Sequence, residues 1–404
     1  MKKINGLFNC ETIISVTAAN MVLGLTIQGI SVLLPVLQQE FNISKTQAGM
    51  YFSIMYSSSL IFTLFSGLII DFIGSKSGLI AGFIWIGISV ILHSLVPDYS
   101  IILFFAFLVG MGHSIITPAS SKAINCNILQ KKRALAMGIS QSGKGIGGFF
   151  AALLFPFFAQ WWGRRVALII SGVVIIALGV LIRKVYSVKN KKLNDDNESL
   201  FRMDIIKVLF TNKRLLITCL IGFSLGSVGS ALISHLILFF YNDLQLGQGL
   251  IPICFVIFQI GEIVGRPLWG FLNNNLLKGD YEKSLLYIGY IVIFLFSIIG
   301  SSFYLFNIPL VIIMLFSFIL GFAGRGWSGL LFSNIGDIVV TKNIGIATGI
   351  VLVFTRVGLL VSPLFFGFVA DLTGSYQYSW GFYSIILVMF MVMIQIMLRR
   401  HYER

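Results

Sequence analysis

The sequence predicts an all-α membrane protein whose twelve transmembrane helices form two pseudo-symmetric six-helix bundles. Three observations predict it. First, of 404 residues 57% are hydrophobic and only 11% charged, and the mean hydropathy is +0.93. Soluble domains carry about 25% charged residues, so a water-soluble enzyme is excluded, and 37 Phe exclude a disordered chain. Second, the apolar residues fall into runs of about 20, enough to cross roughly 30 Å of hydrocarbon as helix. Third, one long polar stretch divides those runs six and six, and short motifs recur across the divide. The alternating apolar-polar strands of a membrane barrel are absent from the pattern.

The first six spans are expected at 12–37, 47–70, 77–96, 99–124, 134–160 and 165–187. The second six are expected at 215–241, 248–272, 284–306, 308–335, 343–370 and 378–398. Met1-Lys2-Lys3 resembles the head of a signal peptide. No small-residue cleavage site ends a short apolar core, so the first span is expected to be retained. The organisation predicted is a first bundle over 1–187, a cytoplasmic linker over 188–213 with a short surface helix around Phe201–Phe210, and a second bundle over 214–404.

The formal net charge is +14, and its placement carries the information. With the N-terminus inside, the inner loops and tails hold 21 Lys and Arg, among them Lys131-Lys132-Arg133 and Arg399-Arg400, and the outer loops hold three, Lys45, Arg164 and Arg165. This positive-inside asymmetry predicts cytoplasmic termini in a cell membrane and accounts for the basic balance without nucleic-acid binding. Cys10, Cys126, Cys219 and Cys254 are scattered without metal or disulfide spacing, and no metal or cofactor is expected.

Internal repeats support the division. Gly67-Leu-Ile-Ile-Asp71 recurs as Gly270-Phe-Leu-Asn-Asn274, Ala136-Met-Gly-Ile139 as Ala347-Thr-Gly-Ile350, and Phe155-Pro156-Phe-Phe as Ser362-Pro363-Leu-Phe, at offsets of 203, 211 and 207. A near-constant offset means one six-helix unit used twice, a transporter architecture with its binding site between the repeats. Gly143 and Gly147 are spaced as small-xxx-small and are expected to let helices approach closely.

Gly67-Leu-Ile-Ile-Asp71-Phe-Ile-Gly74-Ser-Lys76 resembles the loop 2–3 motif of the major facilitator superfamily, although the usual Arg after the Asp is missing. The second-half copy is degenerate, with Asn274 where the family often keeps an acid. Ser142-Gly143-Lys144-Gly145-Ile-Gly147-Gly148 resembles the family's fifth-helix glycine motif, with Lys144 where exchangers usually have proline. Gly367-Phe-Val-Ala-Asp371-Leu-Thr-Gly374 is a further familiar ending. The resemblance covers the whole chain. It implies that Gly67, Asp71, Gly74 and Lys76 form a gate latch.

An ionisable group at mid-span costs at least about 2.5–3.5 kcal/mol on insertion scales, so it usually faces a cavity and works there. Glu262 is the one acidic residue expected deep in a span, and Arg266 is four residues on, on the same helical face. Gly261-Glu262-Ile-Val-Gly265-Arg266-Pro267 resembles the eighth helix of proton-coupled monocarboxylate carriers. That implies Arg266 for a carboxylate and Glu262 for a proton. Phe354-Thr355-Arg356-Val357-Gly358 resembles the eleventh-helix cation of oxalate–formate exchangers. Lys144 aligns with Arg356, and Arg325 with His113, each within one residue of the repeat. Arg266, Arg325, Arg356 and Lys144 therefore outnumber one acid and are expected to attract an anion, with Arg forks suited to a carboxylate.

Arg266 and Arg356 are expected to clamp that carboxylate from opposite halves. His113 and His235 are candidate proton relays, with Glu262 and His113 the coupling pair expected. Lys122 is expected to snorkel. Gln28, Gln141, Asn20, Tyr51, Tyr56 and Trp327 are candidate cavity walls.

No nucleophile set, nucleotide fingerprint or ATP-binding domain is present in the sequence. The reading is a monomeric secondary active transporter of a small monocarboxylate-like organic anion, with proton symport. Anion exchange without protons and export of lipophilic or drug-like compounds are the alternatives, and the excess of deep cations weighs against the last.

Overall fold

The structure is a computed structural model that describes residues 10–129, 133–186, 211–302, 308–339 and 344–402. The linker predicted between the bundles lies almost wholly outside them, as does the surface helix around Phe201–Phe210. Lipid offers no partners to backbone N–H and C=O, so helix is the form these apolar runs must take. The first span is Cys10–Phe41. The second and third share Lys45–Ser94, broken at Gly74, whose φ of 81° and ψ of 162° suit only glycine. The fourth is Tyr99–Asn127, and Arg133–Val185 carries the fifth and sixth, broken at Gly163 in the same way (φ 78°). The seventh is Lys213–Leu238, prolonged by a wider turn over Phe239–Asp243. The eighth is Leu250–Leu276 and the ninth Tyr281–Ser302. The tenth is made of Leu310–Gly326 and Ser328–Ile338, the eleventh is Ile344–Thr373 and the twelfth Tyr376–Tyr402. A helix is thus found at each of the twelve expected positions.

Close-packed glycines show how these helices pair. A Cβ on Gly147 would lie 2.0 Å from the Met21 carbonyl oxygen, and one on Gly143 2.3 Å from that of Thr17, so the fifth span is seated on the first. Gly358 meets the Phe223 carbonyl at 2.3 Å, which seats the eleventh on the seventh in the same way. The second and fourth spans touch at Gly110 and Met55, and the eighth and tenth at Gly321 and Phe258. Each pairing in the first six spans has its counterpart in the last six, which is the repeat made physical. The glycines are packing residues, as small residues are between membrane helices. Gly147→Val is expected to abolish folded yield, whereas Gly67→Ala, with open space around it, is expected to leave it intact. Size-exclusion of the detergent-extracted variants checks both.

The two sets of six meet along two seams. The second span lies against the eleventh, with Gly49 close to the Pro363 carbonyl and Gly367 close to that of Lys45. The fifth lies against the eighth, with Gly145 close to Ile263 and Glu262. One end of the assembly, the Asn42 end, gathers the loops after spans one, three, five, seven and eleven. The other is the Gly74 end.

Candidate functional site

The fifth–eighth seam holds the buried charges. Glu262 is fully buried and receives Arg266 Nη2, one helical turn on. From the tenth span, Arg325 Nε donates to Glu262 Oε2 at 3.2 Å and its Nη2 to Oε1 at 3.4 Å. Gly229 of the seventh span makes room for that guanidinium, since a Cβ there would fall 2.8 Å from Arg325 Nη1. Across the seam, the half-buried Lys144 lies in the field of Glu262, Arg266, Arg325 and Arg356. Among the described residues its ammonium has no hydrogen bond or ion pair. Tyr56 of the second span shares the field of Arg325 and Glu262. Three cations thus surround one carboxylate. Arg266 Nε and Nη1 are buried without a hydrogen-bond partner among the described residues, an arrangement that costs about 1–3 kcal/mol per orphaned group when nothing fills it.

Arg356 is placed differently from the expectation. The eighth and eleventh spans both belong to the last six, so Arg266 and Arg356 do not approach from opposite halves. Arg356 instead crosses the second–eleventh seam, where its Nη1 donates to the Ser59 carbonyl at 3.0 Å and contacts Thr63 Oγ1. The repeat explains this. The offset of 203 carries Ser59 onto Glu262 and Thr63 onto Arg266, so Arg356 against the second span is the counterpart of Lys144 against the eighth. The cation that faces the cluster from the other half is Lys144.

His113 does not touch Glu262. Its Nε2 lies 2.9 Å from Thr26 Oγ1, inside the first six spans. His235 is fully buried, with Nε2 2.8 Å from the Pro363 carbonyl. Lys122 donates to the Ile70 carbonyl at 3.1 Å, at a helix end. Asn20 donates to Ser140 Oγ at 2.8 Å, Tyr51 pairs with His93 at 3.1 Å, and Trp327 donates to the Gly324 carbonyl at 3.0 Å, so these three candidate wall residues are engaged in packing. In the loop 2–3 motif Gly74 is the break between helices and Lys76 is half-buried, whereas the Asp71 side chain lies outside the described residues.

The Asn42 end is closed by contacts sequence reasoning missed. Asp371 caps the start of the second span: the Lys45 and Thr46 N–H groups donate to its two oxygens at 2.9 and 2.8 Å. Lys45 Nζ returns to the Gly374 carbonyl at 2.6 Å and sits over the Tyr376 ring. Asn242 donates to Gln38 at 3.1 Å, and Gln39 bonds Tyr241. Below them Ser53 donates to the Leu360 carbonyl at 2.6 Å. Among the described residues, every hydrogen bond between the two sets of six lies from this end down to the level of Arg356. Arg164, expected as a loop cation, is also built in: its side chain is 3% exposed and pairs with Glu40. A signal for Asp371 existed, since Gly367-xxx-Asp371-xx-Gly374 repeats the spacing of Gly67-xxx-Asp71-xx-Gly74. An acid at a helix N-terminus is worth typically 0.3–1 kcal/mol, up to about 2 when partly buried. Asp371→Asn replaces one acceptor with a donor facing a donor. Hydrogen exchange at the Lys45 and Thr46 amides is expected to quicken about tenfold (~1.4 kcal/mol), and unchanged protection would remove Asp371 from the contacts that close the Asn42 end.

A bundle of paired, repeated helices with a charged seam is the architecture of a membrane transport protein. A family model described as Major Facilitator Superfamily matches residues 16–332. The chain belongs to that family, and it is a multi-pass membrane transport protein that acts on a small-molecule substrate, not an enzyme. It is 27% identical over 153 residues to the inner membrane transport protein YnfM of Escherichia coli (strain K12), covering 38% of this chain and 37% of YnfM. It is 24% identical to the uncharacterized transporter YybO of Bacillus subtilis (strain 168), covering 90% and 89%. It is 22% identical to the hexuronate transporter of the same organism, covering 86% and 85%. A crystal structure of a bacterial homolog of the human lysosomal transporter Spinster, inward-facing and occupied, superposes with a TM-score of 0.76 at 14% identity, covering 97% of both chains. That likeness concerns the fold.

Proposed function

We propose that the protein is a secondary transporter of a small organic anion, which it carries across the cell membrane by alternating access with both termini cytoplasmic. The observation that carries this reading is the seam in which Arg266, Arg325 and Lys144 outnumber Glu262 while two Arg266 donors stay unsatisfied. A bound carboxylate supplies both the missing acceptors and the missing charge. The kinship with a hexuronate transporter supports an organic anion, and the distribution of Lys and Arg supports the orientation. In that orientation the Asn42 end is the outer end, so the contacts there describe a state closed to the outside.

Proton symport places the coupling on Glu262. Exchange without protons is the second reading, favoured by the two guanidiniums on that carboxylate, the arrangement of an acid that orients Arg266. Counterflow of labelled carboxylates in proteoliposomes, with and without a pH gradient, tests transport itself. Glu262→Gln separates the readings: under symport, exchange survives and pH-driven accumulation is lost, whereas accumulation that persists in the variant moves coupling away from Glu262. Failure of every carboxylate to counterflow would overturn the anion reading.

A further inference from the structure

Gln259 is fully buried in the eighth span, and neither its Nε2 nor its Oε1 has a hydrogen-bond partner among the described residues. Exchanging the two amide atoms does not cure this, because both are orphaned. At 3.6 residues per turn, Gln259, Glu262 and Arg266 lie within about 60° of one another around the helix. They form one stripe, with the amide nearer the closed Asn42 end and the unsatisfied guanidinium donors nearer the Gly74 end. A second orphan comes from the other half. Gln28 is buried in the first span, where its Nε2 donates to the Lys144 carbonyl at 3.2 Å while its Oε1 is left without a donor. Groups buried unpaired in this way are rare in folded proteins and each calls for an explanation.

The chemistry of the orphans restricts the ligand. Arg266 Nε and Nη1 can only donate, and a carboxylate can only accept, so these two fit. A carboxylate cannot satisfy Gln259 Oε1 or Gln28 Oε1, which accept and need an O–H or N–H from the ligand. Gln259 Nε2 needs an acceptor in the same place. A hydroxyl is both donor and acceptor, and one hydroxyl can serve both atoms of one carboxamide. We infer that the site takes a hydroxylated carboxylate, its carboxyl group on Arg266 and its hydroxyls on Gln259 and Gln28. Seven residues of helix rise about 10 Å. Less the reach of the Arg side chain, that leaves room for a chain of about four to six carbons, longer than a simple monocarboxylate such as lactate. The stripe is sealed here, with Gly145 of the fifth span against Ile263 and Glu262, so the ligand enters as the fifth and eighth spans part.

This inference rests on the anion reading of the same site, and a pair of six-carbon probes keeps the two separable. Binding of gluconate and of hexanoate to the purified full chain is measured by calorimetry, and their counterflow in proteoliposomes, for the wild type, Gln259→Met and Gln28→Met. The wild type is expected to prefer gluconate at least tenfold. Each variant is expected to reduce that preference by about tenfold or more, since a site built for a hydroxyl discriminates through the group left unpaired. Two variants on different spans guard against one that does not fold. Equal binding of the two acids, or a preference that neither variant moves, as when ordered waters serve the amides, overturns the hydroxylated ligand and leaves anion transport standing. Absence of binding by both acids, with counterflow absent as well, overturns the anion reading instead.

Discussion

Arg266→Gln is expected to leave the protein folded and to weaken carboxylate binding by at least about 100-fold, on the basis that hydrogen bonds to charged groups contribute about 1.5–3 kcal/mol each. Arg266 offers two such donors, Nε and Nη1, that nothing else in the described structure uses. Folding survives because Glu262 keeps Arg325 at 3.2 Å. Removing the sole partner of a buried charge costs about 3–5 kcal/mol, but here a second partner remains. Arg266→Lys sharpens the test. It keeps the charge and loses the planar fork, so an intermediate loss, nearer tenfold, is expected. If Lys binds as well as Arg, the seam attracts anions by field alone and the geometry of the guanidinium is irrelevant. If Gln binds as well as Arg, the carboxylate lies elsewhere. Calorimetric titration of the purified variants decides, with size-exclusion profiles showing that each is folded.

The parts of the fold legible in the sequence are those governed by local rules. Twenty-residue apolar runs become spans because lipid admits few alternatives, and the spacing of Gly143 and Gly147 announces a close helix contact whichever neighbour supplies it. Glu262 and Arg266 pair within one helix, so their i, i+4 spacing was enough. Arg325 reaches Glu262 from 63 residues away, and no spacing rule predicts a contact across spans. Arg164 sits in a stretch that reads as a loop, yet its partner Glu40 closes the end of the bundle and draws the guanidinium out of water. Gln259 was invisible for another reason. A neutral amide leaves no mark on hydropathy or charge, and only its burial without a partner shows it. Asp371 was visible as a spacing but not as a contact, since its donors, the backbone N–H groups of Lys45 and Thr46 and the Thr46 hydroxyl, lie 325 and 326 residues away in the chain.

Arg356→Gln is expected to change which face of the protein is open rather than what the protein binds. Its guanidinium is the lowest of the contacts that zip the second span to the eleventh, below Asp371 on Lys45 and Thr46, Pro363 beside Gly49, and Leu360 on Ser53. Its partners are the Ser59 carbonyl and Thr63. A charge-assisted hydrogen bond across a seam favours only the state in which the seam is closed, and a change of about 3 kcal/mol between two states moves their ratio roughly 150-fold. Losing Arg356 removes such bonds from the state closed at the Asn42 end and nothing from its opposite. The population should shift toward the state open at that end. A cysteine placed at Ser53, in a background without the exposed Cys10, reports this directly: Ser53 lies in the zipped seam, so maleimide labelling should accelerate in Arg356→Gln. Carboxylate affinity should fall far less than in Arg266→Gln. The carboxylate clamp expected from the sequence implies the opposite result, loss of anion binding in a protein that stays folded. Unchanged labelling at Ser53 together with lost anion binding would return Arg356 to the carboxylate. Faster labelling with binding retained would make Arg356 the strut that holds one gate shut, with Lys144 its counterpart at the fifth–eighth seam.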